Sequence, residues 1–182
     1  MRLTFLALAA TLIGCGSTTT EDPPAPPAAA EPAPEAPAPE KDPNLGEWEP
    51  SADQQKVYDR LKVKKPEPAC KDVETGVSDA LGAFRGIVEH VTTPPWVPMR
   101  AATCLINGHA KDIEPDALKW VADPEQTGLT TVVLGRLDTL PLAMAKTIAT
   151  AALAGPHKDL AKTRISRLRT QELKDLATGV SE

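Results

Sequence analysis

The chain has 182 residues and a formal net charge of −5, and aromatic residues make up only 3% of it. This acidic balance argues against a nucleic-acid partner, because binding a phosphate backbone needs clustered lysine and arginine. A core built from leucine, alanine, valine and isoleucine is expected instead, and such a composition favours closely packed helices.

The first 15 residues contain the parts of a bacterial secretory signal in the right order. Arg2 supplies a positive charge, residues 3–13 are mainly apolar, and small residues stand near the end of the segment. The apolar stretch is about half of the roughly 20 residues that span a bilayer, so a transmembrane helix is a poor alternative. The segment ends in Leu12-Ile13-Gly14-Cys15, which resembles the lipobox of bacterial lipoprotein precursors.

This resemblance implies that residues 1–14 are removed as a signal peptide and that Cys15 is lipidated. In that family the cysteine carries a diacylglyceryl group and usually a further acyl chain such as palmitate. Gly16 stands where an aspartate would oppose export to the outer membrane. We therefore expect a cell-envelope protein anchored in the outer membrane, with its domain facing the periplasm. An ordinary signal peptide cleaved elsewhere is the alternative.

Residues 15–50 comprise the cysteine and a linker rich in proline, alanine and glutamate. The linker has too few apolar residues to offset the entropy of ordering a chain, so a disordered tether is predicted. About 30 residues at roughly 3.1 Å each reach up to about 90 Å when fully extended. A proline-rich ligand for a recognition domain is the alternative, although basic residues beside the prolines are lacking.

Residues 51–182 have the length of one domain, and their apolar spacing is helical throughout. An apolar stripe at three- and four-residue steps predicts one helix of about five turns from Val73 to Val91. Proline and glycine punctuation predicts the later helices: 99–106, 114–122, one opened by Asp123-Pro124 that runs to Leu137, 142–153, and two amphipathic segments through Leu168 and Ala177. No segment reads convincingly as a strand. Trp96 and Trp120 are both expected to be buried.

Three of these segments, 99–106, 128–137 and 160–168, start about 30 residues apart. The stretch from Arg100 to Leu105, a basic residue followed by small residues and leucine, resembles the second helix of HEAT-like repeats. The resemblance covers roughly residues 73–176 and implies an all-α array of antiparallel helix pairs that presents an extended binding surface. An irregular helical bundle is the alternative. HEAT-like arrays are mostly scaffolds.

Lipidation of Cys15 leaves Cys70 and Cys104 as an even pair in an oxidising compartment, where a disulfide is the default. It would close a loop of about 35 residues and stabilise the fold by roughly 4 kcal/mol. Free thiols are one alternative. A metal site with His90 and His109 is another, but the short paired spacings of zinc ligands are lacking. No metal or other cofactor is predicted.

Motifs for catalysis are lacking, because no serine lies in a G-x-S-x-G elbow and no histidines match H-E-x-x-H. His90 is expected at a helix end, His109 in a loop, and His157 near a helix start. Four carboxylates near predicted helix starts are expected to be caps: Asp112, Glu114, Asp116 and Asp123. The chain is therefore not expected to be an enzyme.

The last segment is locally basic within an acidic protein. Its candidate partner-binding residues are Lys158, Lys162, Arg164, Arg167 and Arg169. They suit a contact with an acidic protein or with anionic lipid headgroups, and a solvated outer helix is the alternative. The sequence thus predicts a lipid-anchored envelope protein that acts as a protein–protein interaction or scaffold module. A periplasmic carrier of lipids or small molecules, or an enzyme without a recognisable motif, is the alternative.

Overall fold

The computed structural model describes residues 42–179, so the signal peptide, Cys15 and most of the tether lie outside the described residues. Within this range the chain is all-helical, with no strand, which confirms the predicted class of a small helical array. The α-helices are α1 (Ala52–Leu61), α2 (Cys70–Glu74), α3 (Ala80–His90), α4 (Trp96–Gly108), α5 (Glu114–Ala122), α6 (Thr127–Leu134), α7 (Leu142–Ala154), α8 (Lys158–Ile165) and α9 (Gln171–Thr178). Short 3-10 turns occupy Pro43–Leu45 and Leu137–Thr139.

Helix α1 begins at a capping box, a local pattern that satisfies backbone groups otherwise left without partners. The Gln54 N–H donates to Ser51 Oγ at 3.3 Å, and the Ser51 N–H donates to Gln54 Oε1 at 2.7 Å. Asp53, in the same turn, accepts from the N–H groups of Ser78 and Asp79 at 2.9 and 3.0 Å. The start of α1 therefore also fixes the segment that leads into α3.

The single helix predicted from Val73 to Val91 is wrong, because a short connection divides it into α2 and α3. Gly76 in this connection has φ +69°, a left-handed conformation that glycine adopts without a steric penalty. Asp79 then caps α3, since its Oδ1 accepts from the Gly82 N–H at 2.8 Å. The apolar spacing continues across this break because residues on both sides face the same core.

The helix predicted to reach Leu137 is also wrong at its end. Helix α6 stops at Leu134, and Leu137 lies in the following 3-10 turn. The Arg136 N–H donates to the carbonyl oxygen of Val133 at 3.0 Å, which tightens the chain out of the α-helix. Leu137 nevertheless points into the core and is fully buried, so its apolar character was a sound indication of burial.

The helices form two layers. One layer contains α1, α3, α5, α7 and α9. In it α1 packs on α3, α5 packs on α7, and α7 packs on α9. The other contains α4, α6 and α8 in that order. Successive helices α3 with α4, α5 with α6, and α7 with α8 join the layers as pairs, and α2 lies against α1 and α4. The first layer is interrupted, because α3 and α5 have at most a marginal contact.

Small residues allow close packing in the centre of the array. Ala145, Ala149 and Ala152 are fully buried on one side of α7, the helix that contacts α5, α8 and α9. Of the two tryptophans expected inside, Trp120 is 5% exposed, whereas Trp96 is only half-buried. None of the helices between residues 42 and 179 combines the length and apolar character needed to cross a membrane.

Candidate functional site

The predicted basic residues do not share one face of α8. Ala161 and Ile165 are buried and define its inner side. Lys158 and Lys162, one turn apart, lie on the same exposed flank. Arg164 follows Lys162 by two positions, a rotation of about 200° around the helix, and is half-buried on the other flank. The structure therefore separates the lysines from the first arginine.

Arg167 and Arg169 lie in the turn between α8 and α9, and both are exposed. Asp138 anchors this turn, because its carboxylate accepts from the Arg169 and Thr170 N–H groups at 2.7 and 3.1 Å. Burial acts to raise the pKa of Asp138, but these hydrogen bonds and the positive charge of Arg169 outweigh it, so the pKa is lowered. We define Arg164, Arg167 and Arg169 as the α8–α9 corner.

The other four arginines in residues 42–179 hold the fold together. Arg60 donates to three carbonyl oxygens at the end of α2, and Arg100 to three at the end of α1, all at 2.6–3.3 Å. Arg85 binds a carboxylate on α5, and Arg136 binds a side-chain amide on α4. Two of these are positive charges at helix C-termini, where the helix dipole favours them.

The α8–α9 corner differs from these four arginines. Within the described range, none of its three guanidinium groups has a hydrogen bond or an ion pair. The same holds there for the ammonium groups of Lys158 and Lys162. The corner therefore offers three fork-shaped donors to an external anion without breaking a hydrogen bond or an ion pair of the described fold.

The predicted disulfide between Cys70 and Cys104 is confirmed, with a Cα–Cα distance of 5.3 Å. It joins α2 to α4, so it fixes a five-residue helix to the layer that contains α4, α6 and α8. Cys104 is buried and Cys70 is half-buried. No group of three or more potential metal ligands occurs between residues 42 and 179.

The three histidines occupy the ends of helices. His90 is exposed at the last residue of α3 and stacks on Trp48 with ring centroids 5.1 Å apart. His109 follows α4, and its Nε2 lies 3.6 Å from Glu74 Oε1. His157 precedes α8 and is buried, with its Nε2 2.8 Å from a carbonyl oxygen at the end of α5. Each position suits a structural contact.

The predicted capping by Asp112, Glu114, Asp116 and Asp123 is wrong in its detail. Glu114 and Asp116 do lie in the first turn of α5, but no side chain caps that helix. Asp116 Oδ2 instead accepts from Arg85 Nε at 2.9 Å, which links α5 to α3. Asp123 Oδ1 accepts at 2.9 Å from an N–H group in the turn before α6, and Asp123 is not the residue that directly precedes this helix. Asp116 therefore makes a contact with a distant helix, which the local sequence did not indicate.

A groove of about 300 Å³ lies where α3 and α5 fail to pack against each other. The Arg85–Asp116 pair borders it, and Arg85 Nη2 also donates to the carbonyl oxygen of Asp112 at 2.8 Å. Trp120 and Leu129 are buried and supply apolar walls. Sequence reasoning missed this groove, because its two sides are about 30 residues apart and no local pattern marks them.

The rim of the groove is polar. Glu89 and Lys119 are exposed and line it from α3 and α5, while Asp123 and Gln126 line it from the turn before α6. The side chain of Val88 is half-buried beside them. The arrangement is an apolar slot with charged groups around its opening, a combination typical of sites that take an amphipathic group.

No protein-family model matches the chain, and neither a curated protein nor a solved structure matches it significantly.

Proposed function

We propose that this is a lipid-anchored cell-envelope protein whose helical domain acts as a protein–protein interaction or scaffold module. The observation that carries the proposal is the α8–α9 corner, which places three guanidinium groups without partners in the described range on a turn fixed by Asp138. Guanidinium groups bind carboxylates in a two-pronged geometry, and arginine is enriched where interfaces gain most of their binding energy. An acidic protein surface is the partner that this corner suits.

The anchor rests on the segment Leu12-Ile13-Gly14-Cys15, which resembles a lipobox. A lipid on Cys15 would keep the domain close to one membrane, and the proline-rich residues after it would act as a tether. We place the protein at the outer membrane with the domain on the periplasmic side. Restriction to one membrane raises the local concentration of the domain near an envelope partner, so each individual contact need not be strong.

The architecture favours an interaction module over a carrier. The array stacks helix pairs in two layers, as HEAT-like scaffolds do. The α3–α5 groove, at about 300 Å³, lies at the lower limit of the pockets that enclose small molecules. This volume suits a side chain of a partner better than a whole lipid.

Crosslinking in intact cells tests the interaction. The tagged, anchored protein is crosslinked and purified beside R164E/R167E/R169E and the matched control K71E/K111E/K146E. The control changes the net charge by the same amount at three exposed lysines that have no ion pair within residues 42–179. All three proteins should have the same helical circular dichroism.

We expect one envelope protein to be recovered with the wild type and the control, and at least about tenfold less of it with the corner variant. Equal recovery with the corner variant would overturn the role of the corner. Failure to enrich any specific protein in repeated trials would overturn the interaction module itself.

Membrane fractionation tests the anchor. The change Cys15→Ser, made behind an ordinary cleavable signal peptide in place of residues 1–14, removes the thiol to which the diacylglyceryl group would be attached, so the protein should move from the membrane fraction to the soluble periplasmic fraction. A mass difference on the N-terminal peptide of the wild type identifies the lipid directly. Retention of the variant in the membrane fraction would contradict lipid anchoring at this cysteine.

A further inference from the structure

The interruption between α3 and α5 leaves a recessed surface, which is far in sequence from the α8–α9 corner. Elsewhere in that layer neighbouring helices pack directly, but here Arg85 bridges the gap through Asp116. This ion pair, together with the hydrogen bond that Arg85 donates to a backbone carbonyl of the α4–α5 connection, links the two helices at one end of the groove and fixes their relative position there. The groove is therefore preformed in the fold.

The charges around the groove indicate what it accepts. Arg85 and Asp116 neutralise each other, which leaves the carboxylates of Glu89 and Asp123 against one ammonium group, that of Lys119. Asp123 uses only Oδ1 for a hydrogen bond with the described residues, so Oδ2 stays available. The opening thus carries a net negative charge.

The walls of the groove suit an aliphatic chain. Val88 lies between Arg85 and Glu89 on α3, and Trp120 and Leu129 complete the apolar lining. A lysine or arginine side chain has the matching form, because its methylene stem packs on apolar surface while its charged head stays near water or a carboxylate.

We propose that the α3–α5 groove binds a lysine or arginine side chain of a partner protein, with its stem on Trp120 and its head between Glu89 and Asp123. This inference rests on the proposed function in one respect, because both assume that the domain binds a protein. A scaffold needs two separate sites, and the two surfaces have opposite requirements: the groove takes a cation, whereas the α8–α9 corner takes an anion.

Methyl NMR on the full-length lipidated protein in detergent micelles tests the site. The probe is the peptide Gly-Ser-Lys-Ser-Gly, compared with peptides that carry norleucine or glutamate in place of lysine. Norleucine keeps most of the stem and lacks the ammonium group, so it isolates the charge. The variant E89Q/D123N removes both carboxylate charges with little change of shape. The matched control E125Q/D159N removes two exposed carboxylates that do not line the groove.

We expect the lysine peptide to shift the methyl signals of Val88 and Leu129 in a saturable way, and the norleucine and glutamate peptides to bind at least about fivefold more weakly. E89Q/D123N should weaken lysine-peptide binding by a similar factor, and E125Q/D159N should not. Absence of these shifts, equal shifts with norleucine, or unchanged binding by E89Q/D123N would overturn the inference. R164E/R167E/R169E should leave peptide binding unchanged, so failure at the groove is distinct from failure of the proposed function.

Discussion

Reduction of the Cys70–Cys104 disulfide should lower the free energy of unfolding by about 4 kcal/mol. The two cysteines are 34 positions apart, so the cross-link closes a loop of 35 residues. For that loop the chain-entropy relation gives a loss of about 13 cal/mol/K from the unfolded ensemble, or about 3.8 kcal/mol at 25 °C. Reduction leaves both sulfur atoms in place, so no cavity is created at the buried Cys104. The effect therefore comes from the cross-link itself.

Urea denaturation followed by circular dichroism, with and without a phosphine reductant, measures this difference. The reduced native state should remain helical, because Val73 is fully buried and Arg60 still binds the carbonyl oxygens at the end of α2. The denaturant slope should increase on reduction, because the unfolded chain without the cross-link exposes more surface. C70A/C104A should show no dependence on the reductant. A difference below about 1 kcal/mol for the wild type would refute the reasoning that the loop restricts the unfolded chain.

Three further predictions concern single residues. Asp138→Asn should cost about 1–2 kcal/mol in urea denaturation, because the Arg169 and Thr170 N–H groups lose a charged acceptor. The pKa of Asp138 is lowered from 3.8 in the fold, so the wild type exceeds the variant in stability by the full amount only well above pH 3.8. The stability difference disappears as the pH falls through the lower native pKa. An equal difference at pH 7 and pH 2 would contradict this. Gly76→Ala should lower the melting temperature through strain at φ +69°, at a cost of about 1 kcal/mol; an unchanged melting temperature would show that the turn relaxes. Arg100→Ala should cost about 2 kcal/mol by leaving the carbonyl oxygens at the end of α1 without their charged donor, and a loss below about 0.5 kcal/mol would show that water replaces it.

Local punctuation made several helices predictable. Glu114-Pro115 opens α5 and Pro141 precedes α7, as expected from proline in or beside a first helical turn. Gly108 ends α4 close to the predicted stop. The disulfide followed from the parity of the cysteines in the oxidising compartment that the lipobox resemblance implies, without knowledge of the fold. These features depend on residues close together in sequence or on simple counting.

Other features depend on packing and could not be predicted. Gly76 lies inside an apolar period of helical length, and the chain leaves the helix there in a turn whose N–H groups donate to the distant Asp53 carboxylate. Asp116 was expected to serve its own helix, but Arg85 approaches from α3 and binds it instead. The absence of close packing between α3 and α5 has no counterpart in the sequence pattern.

The charge of the basic segment could be predicted from the sequence, but the arrangement of its residues could not. Its composition indicated a charged surface, and all five residues are exposed or half-exposed. Periodicity within α8 places Arg164 away from the lysines, so the segment is not one continuous stripe. Some arginines hold the fold together and others have no described partner. The sequence could not separate these two groups, because the contacts of Arg60 and Arg100 are with other helices.

Site-specific photo-crosslinking in intact cells tests whether the α8–α9 corner contacts a partner protein. A photoreactive phenylalanine derivative is placed at Arg167, in the α8–α9 corner, and in parallel at the exposed Lys111 as a control. We predict one discrete adduct from position 167, with an acidic segment of an envelope protein as the attached peptide, and none from position 111. Absence of an adduct at position 167, or the same adduct from both positions, would contradict an interaction module that binds through this corner.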